Sequence, residues 1–257
     1  VVIAIIGLLA SIILVSLKGT REKARIAKSL DFSQRINHAL GAYAVGIWRF
    51  DEGSGTIASD SSGYGNNGTL VNGPVWTTDS PSGKGRALSF DGVNDYVDAG
   101  NGATLQPNYV TLETWVKTTT TAGGRVAAHV GGGKYPYDIY LNPNGTARWE
   151  FDGISAAVSN QSGNKKVNDG NWHYITIAYD GSTGFLYVDG VLDVSIAYSG
   201  GVLEYNGSSF LIGKGGDGHV FNGLIDEVRI YNSALGITQI QKHYAEGLEK
   251  HQNLAKQ

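Results

Sequence analysis

The stretch Trp149-Glu150-Phe151-Asp152-Gly153-Ile154-Ser155 places two carboxylates two residues apart. On a strand, residues at that spacing project to one side. Two carboxyl groups about 5–5.5 Å apart can cleave a glycosidic bond with retention. The plainer reading, adopted here, is a pair of solvent-facing strand positions. Other chemistries find less support. The chain has no cysteine, and its six histidines show no metal-ligand spacing. His173 sits beside Trp172 within a strand-like run and reads as a structural histidine. No nucleophile elbow is present. The expectation is therefore that the protein is not an enzyme. Binding chemistry fits better. Trp115 shares a strand face with Glu113 and Lys117, and Tyr135 and Tyr137 lie in a Gly-rich loop. An exposed aromatic with polar neighbours suits a sugar, so these three are candidate glycan contacts. The competing reading packs Trp115 under a loop or the C-terminal helix. Asp side chains and Gly-rich turns whose carbonyls can converge suit one structural Ca²⁺. Where Asx residues only form turns, the same pattern needs no metal.

These residues must be positioned by short strands. Glycine makes up 37 of 257 residues, about twice the usual ~7%, without a strict repeat. Val110, Leu112, Thr114 and Val116 alternate with Thr111, Glu113, Trp115 and Lys117, as a half-buried strand requires. Trp172–Asp180 and Gly184–Ser195 continue the pattern, with Asp189-Gly190 as a two-residue hairpin signal. "SFLIGK" and "NGLIDEVRIYN" close a series of about twelve short strands without helices between them, which implies a two-sheet sandwich. Ile237, Ile240, Tyr244 and Leu248 then mark a short helix capping the sandwich, followed by a frayed tail. Four Asn-x-Ser/Thr sequons, at Asn67, Asn144, Asn160 and Asn206, carry little weight in this composition. The formal net charge of −3 gives no global sign of nucleic-acid binding.

The front of the chain differs. Val1–Leu17 carries no charge, and as a helix would reach about 26 Å, just short of the ~30 Å hydrocarbon core. The run is too long for a signal-peptide core. Beyond Lys18, Ile26, Leu30, Ile36, Leu40 and Tyr43 recur as a helical stripe. One long helix is expected, ending near Ala42–Val45. Lys18 to His38 holds six Lys/Arg and two acids, a local net of +4 that leaves −7 elsewhere. The positive-inside rule alone would keep this segment cytoplasmic. The chain lacks methionine even at position 1, so an upstream part is expected to have been removed or omitted.

"VVIAIIGLLASIILVSL" followed by "REKARIAKSLDFSQRINHALGAY" resembles the N-terminal helix of type IV pilins and type II secretion pseudopilins. The resemblance implies a basic leader and a methylated N-terminus with an acidic residue upstream of Val1. It also implies inner-membrane anchoring before assembly into an extracellular pilus filament. The partners would be copies of the chain in a helical homopolymer, with Ile3, Ile6, Gly7, Leu9, Ala10, Ile13 and Leu14 as assembly residues. Small residues such as Gly7, Ala10 and Ser11 would permit close helix approach. The family's helix-breaking proline is absent, and Gly7 would serve in its place.

"WRFDEGSG", "DSSGYGNNGTL", "ALSFDGVNDYVD", "DGNWHYITIAYDGSTGFLYVDG" and "FNGLIDEVRIYNSAL" resemble the laminin-G-like jelly roll of the concanavalin-A-like lectin/glucanase superfamily. By that resemblance Asp51, Asp60, Asn66 and Asp226 are the candidate ligands of the Ca²⁺. Glycosidases of the superfamily present Glu-x-Asp-x-x-Glu on a strand, and Ser155 stands where the second Glu belongs. The sequence thus implies an α+β chain: a pilin-like helix over 1–45, a β-sandwich over 46–240, and a C-terminal helix and tail over 241–257. It would be a filament subunit displaying a lectin-like domain for surface or glycan contact, without nucleic acid. The alternatives are a membrane-anchored monomeric carbohydrate-binding adhesin and a minor pseudopilin.

Overall fold

The computed structural model describes residues 44–81, 83, 85–154, 160–207 and 209–249. In chain order the strands are β1 (Ala44–Trp48), β2 (Ile57–Ala58), β3 (Gly68–Val71), β4 (Val75–Thr77), β5 (Ala87–Asp91) and β6 (Tyr96–Asp98). Then follow β7 (Val110–Lys117), β8 (Gly124–His129), β9 (Asp138–Leu141), β10 (Thr146–Glu150) and β11 (Asn160–Lys166). The last are β12 (Trp172–Tyr179), β13 (Thr183–Val188), β14 (Val191–Ala197), β15 (Phe210–Ile212) and β16 (Asn222–Tyr231), before helix α1 (Ile237–Glu249).

The strands form two antiparallel sheets. Sheet A runs β14-β13-β12-β7-β16-β5-β4, with β1 also paired to β16. Sheet B runs β11-β10-β9-β8-β15-β6-β3-β2. Strand alternation sorts the side chains. In β7, Val110, Leu112, Thr114 and Val116 face the core, which sends Glu113 and Trp115 to the outer face of sheet A. In sheet B, Ile139, Leu141, Ala147 and Trp149 enter the core. Asp138, Tyr140, Arg148 and Glu150 therefore point outward. Asp189 (φ 55°) and Gly190 (φ 73°) both have positive φ, so the β13–β14 hairpin has the two-residue geometry that favours Asp-Gly.

The expected α+β class is corrected. The described residues form a nearly all-β sandwich with a single short C-terminal helix, and none of them belongs to a long N-terminal helix. Ala44 and Val45, assigned to that helix from sequence, open β1, because Ala44-Val45-Gly46-Ile47-Trp48 finds a partner in β16. Gly46 is required where the Trp48 ring folds back: a Cβ there would lie 2.5 Å from the ring. Ile3, Ile6, Gly7, Leu9, Ala10, Ile13 and Leu14 lie outside the described residues. Among the described residues no helix is long and apolar enough to cross a membrane.

Candidate functional site

The outer face of sheet B gathers charged and aromatic side chains, of which Arg148, Glu150, Asp217 and His219 remain partly open to solvent. Its floor is Arg125, 2% exposed, near the start of β8. A positive charge this deep needs counter-charges. Nη1 meets the Asp138 carboxylate of β9, and Nη2 lies 3.0 Å from Asp217. The guanidinium carbon lies 3.2 Å from the centroid of the Tyr135 ring and 5.5 Å from that of Tyr140. The loop carrying Asp217 closes over it, and a Cβ at Gly215 would collide with the Arg125 side chain.

Above this floor lie Arg148 and Glu150, two residues apart on β10. Arg148 stands opposite Tyr140, and Glu150 opposite Asp138. The Arg148 guanidinium lies over the Tyr140 ring at 4.2 Å, and its Nε has no hydrogen-bond partner. Glu150 is 3.9 Å from Arg148 and 3.7 Å from Arg125, both longer than a hydrogen bond. His219 stands edge-on to Tyr140 at 5.5 Å, with its Nδ1 3.0 Å from Asp217. The carboxyls respond differently to this setting. Burial raises Glu150 above the usual carboxylate range, and Arg125 offsets only part of that. Burial acts most strongly and would raise Asp217 too, but the hydrogen bond and charge of Arg125 together with the hydrogen bonds from His219 outweigh it and hold the group low.

Several sequence candidates fall here. Tyr135 is 5% exposed. Its ring serves Arg125, its hydroxyl accepts from the Asp217 N–H at 2.9 Å, and its own N–H donates to Asp152 at 2.6 Å. Glu150 and Asp152 thus belong to this face. The other two aromatics do not. Trp115 is 2% exposed and stacked on Tyr244 of α1 at 5.4 Å, the packing alternative rather than the surface one. Tyr137 is fully buried, and its hydroxyl donates to the Leu105 carbonyl. His173 is held between Asp189 at 2.9 Å and Asp169 at 3.1 Å.

The calcium candidates do not fit an ion as a set. The Asp60 carboxylate accepts the N–H groups of Ile47, Ser62 and Asn66 and the Ser62 hydroxyl, all within 2.9 Å. Its acceptor capacity is spent on shaping the turn. The Asn66 amide donates to the Val45 carbonyl and Thr104. Asp51 accepts from the Arg86 N–H, and the buried Asp226 accepts from the Glu227 N–H. Among the described residues no three His, Cys, Asp or Glu side chains group as a metal site, so Asp51, Asp60 and Asp226 do not converge.

The residues missed from sequence are Arg125, Asp138, Tyr140, Arg148, Asp217 and His219. One signal was available: Arg125 stands in the otherwise apolar run Arg125-Val126-Ala127-Ala128, and a charge there demands buried partners.

The profile of the concanavalin A-like lectin/glucanases superfamily, in its laminin-G-like form, matches residues 91–241. The chain belongs to that superfamily. The matched span contains every residue of the Arg125 face. Among solved structures, domain 4 of AbnA, a GH43 extracellular arabinanase from Geobacillus stearothermophilus in complex with arabinotriose, is similar. It has a TM-score of 0.60 and 21% identity, over 79% of this chain and 98% of that one. The binding domain of Paraclostridial Mosquitocidal Protein 1 gives 0.62 and 14%, over 79% and 52%. Trypanosoma rangeli sialidase with the inhibitor DANA gives 0.57 and 14%, over 77% and 32%. The aligned regions thus cover about half of that binding domain and a third of the sialidase. At these identities the likeness is one of fold. No curated protein matches the chain.

Proposed function

We propose that the protein is a surface-displayed carbohydrate-contact subunit. The outer face of sheet B engages a glycan, and the uncharged N-terminal sequence ties the chain into a type IV pilus-like filament. The observation that carries the glycan reading is the partly exposed Arg148 guanidinium, laid over Tyr140 and beyond hydrogen-bond length from the neighbouring Glu150. Hydrogen-bonding groups left unused on a rigid sheet suit a ligand rich in hydroxyls. The arabinanase domain, complexed with arabinotriose, supports this by fold analogy. The reading is binding rather than hydrolysis, since Ser155 replaces the second Glu and the Asp217 carboxylate is tied to Arg125. The filament reading rests on the pilin-like sequence of residues 1–43.

A glycan array probed with the full chain in detergent micelles tests the first part. Wild type should retain sugars that Arg148→Ala does not; equal retention by both would refute it. Electron microscopy of material sheared from producing cells tests the second. Filaments containing the chain are expected, and filaments assembled from an Ile6→Asp subunit would exclude the assembly role of the apolar segment.

A further inference from the structure

Arg148 and Glu150 offer a donor and an acceptor side by side. Residues two apart on a strand are roughly 7 Å apart along the chain, and the two side chains lean together to 3.9 Å. Each is 19% exposed in its side chain, so water reaches them only partly. The exposed part of the Arg148 guanidinium and the Glu150 carboxylate are beyond hydrogen-bond length from each other, and Glu150 is equally beyond it from Arg125. The floor beneath is closed. Arg125 is committed to Asp138 and Asp217, and Tyr140, 7% exposed, is covered by the Arg148 guanidinium. A ligand therefore meets the paired groups of β10 and not a bare aromatic platform.

We infer that this face selects uncharged sugars presenting two adjacent hydroxyls, one accepting from Arg148 and its neighbour donating to Glu150. The inference rests on the glycan reading above. A hydroxyl both donates and accepts, so a vicinal diol satisfies both side chains at once. A carboxylate-bearing sugar keeps its hydroxyls but brings a negative charge beside Glu150, Asp217 and Asp152. Of the two cations on this face, Arg125 is already neutralised and sealed below, which leaves Arg148 alone against those carboxylates. Selectivity thus comes from repulsion as much as from attraction. His219, with 53% of its side chain exposed, forms an open rim and leaves room for further sugar units.

The test is calorimetric titration of the full chain in detergent micelles. Lactose and arabinotriose are set against 3′-sialyllactose and trigalacturonic acid. The neutral sugars should bind at least tenfold more tightly than the carboxylated ones. Arg148→Met should lose at least tenfold in affinity for the neutral sugars while the melting temperature stays near wild type. Glu150→Gln keeps an acceptor and loses the charge. Its neutral affinity should fall only a few fold, and its discrimination against the carboxylated sugars should shrink. Tighter binding of the carboxylated sugars, or undiminished discrimination in Glu150→Gln, would overturn the selectivity while leaving the site in place. Absence of binding by all four sugars, or binding indifferent to both substitutions, would overturn the site as well.

Discussion

The two outer faces of the sandwich are built from the same ingredients and end differently. Sheet A carries Trp115, Tyr174, Glu113 and Arg229; sheet B carries Tyr135, Tyr140, Glu150, Arg125 and Arg148. On sheet A, α1 lies across the set. Tyr244 stacks on Trp115, His243 stacks on Tyr231 at 5.5 Å and meets Glu113 at 2.8 Å, and Gly247 leaves just enough room for the indole. Sheet B has no helix over it among the described residues. Residue type therefore does not separate a structural cluster from a binding one. Cover does. Groups sealed by a helix are shut off from any ligand, whereas an open face leaves part of its polar groups within reach of one.

The largest test of this contrast is Trp115→Ala. Removing a fully packed indole under α1 should cost about 3–5 kcal/mol, read by denaturant unfolding. A loss below about 1 kcal/mol would mean that α1 is not a fixed cover. Arg125→Leu probes the closed floor of the other face. It strands Asp138, fully buried, and should destabilise by a similar 3–5 kcal/mol; near-neutral stability would show that the floor is as permissive as the surface above it.

His129 lies in neither outer face and provides a pH handle on the interior. It is fully buried at the end of β8 beside Tyr137 and Tyr205, and neither ring nitrogen has a hydrogen-bond partner. Burial lowers its pKa from 6.5 to about 4. As pH falls below 6.5, the unfolded chain takes up a proton that the folded one refuses. This contribution is thus intact above pH 6.5 and lost progressively down to about 4, a swing of about 3 kcal/mol. Unfolding curves of His129→Phe should be flatter than wild type across that window, and identical slopes would remove His129 as the cause. The smallest effect belongs to Arg148→Ala. Its ion pair with Glu150 is long and partly exposed, so stability should fall by less than about 1 kcal/mol. A loss as large as that of Arg125→Leu would place Arg148 with the structural cluster.

The contrast also marks what the sequence can tell. Strand alternation placed Val110–Lys117 as β7, and Asp189-Gly190 placed the following hairpin. Ile237, Ile240, Tyr244 and Leu248 marked α1, though only Ile240 of the four is fully buried. Alternation correctly put Trp115 on an outer face; it does not record what lies on top, which depends on a helix some 130 residues away. Arg125 was harder still. Its partners come from β9, β10 and a loop near residue 217, and a bulge between Arg125 and Ala127 breaks the period that would have flagged it. Asp60 shows a limit of composition: a turn that closes on backbone N–H groups has the same residues as one that closes on a metal. The extension of the expected helix to Val45 failed because helical periodicity carries no term for a waiting strand partner.

Strand β1 has a mechanical consequence. It joins sheet A through β16 alone, in antiparallel register from Ala44 opposite Tyr231 to Trp48 opposite Val228. Trp48 also stacks on Phe210 of sheet B at 5.4 Å and donates its indole N–H to the Asn66 carbonyl. A pull entering at Ala44 and directed along the strand loads the β1–β16 hydrogen bonds together instead of peeling them one at a time. It reaches the second sheet through the Trp48 ring and through the β2–β3 connection, where Ile47 donates to Asp60 and Ser61 donates back to the Ile47 carbonyl. The sandwich is thus gripped by its first strand as a blade is by its tang, and tension on the chain is shared by both sheets before either begins to open.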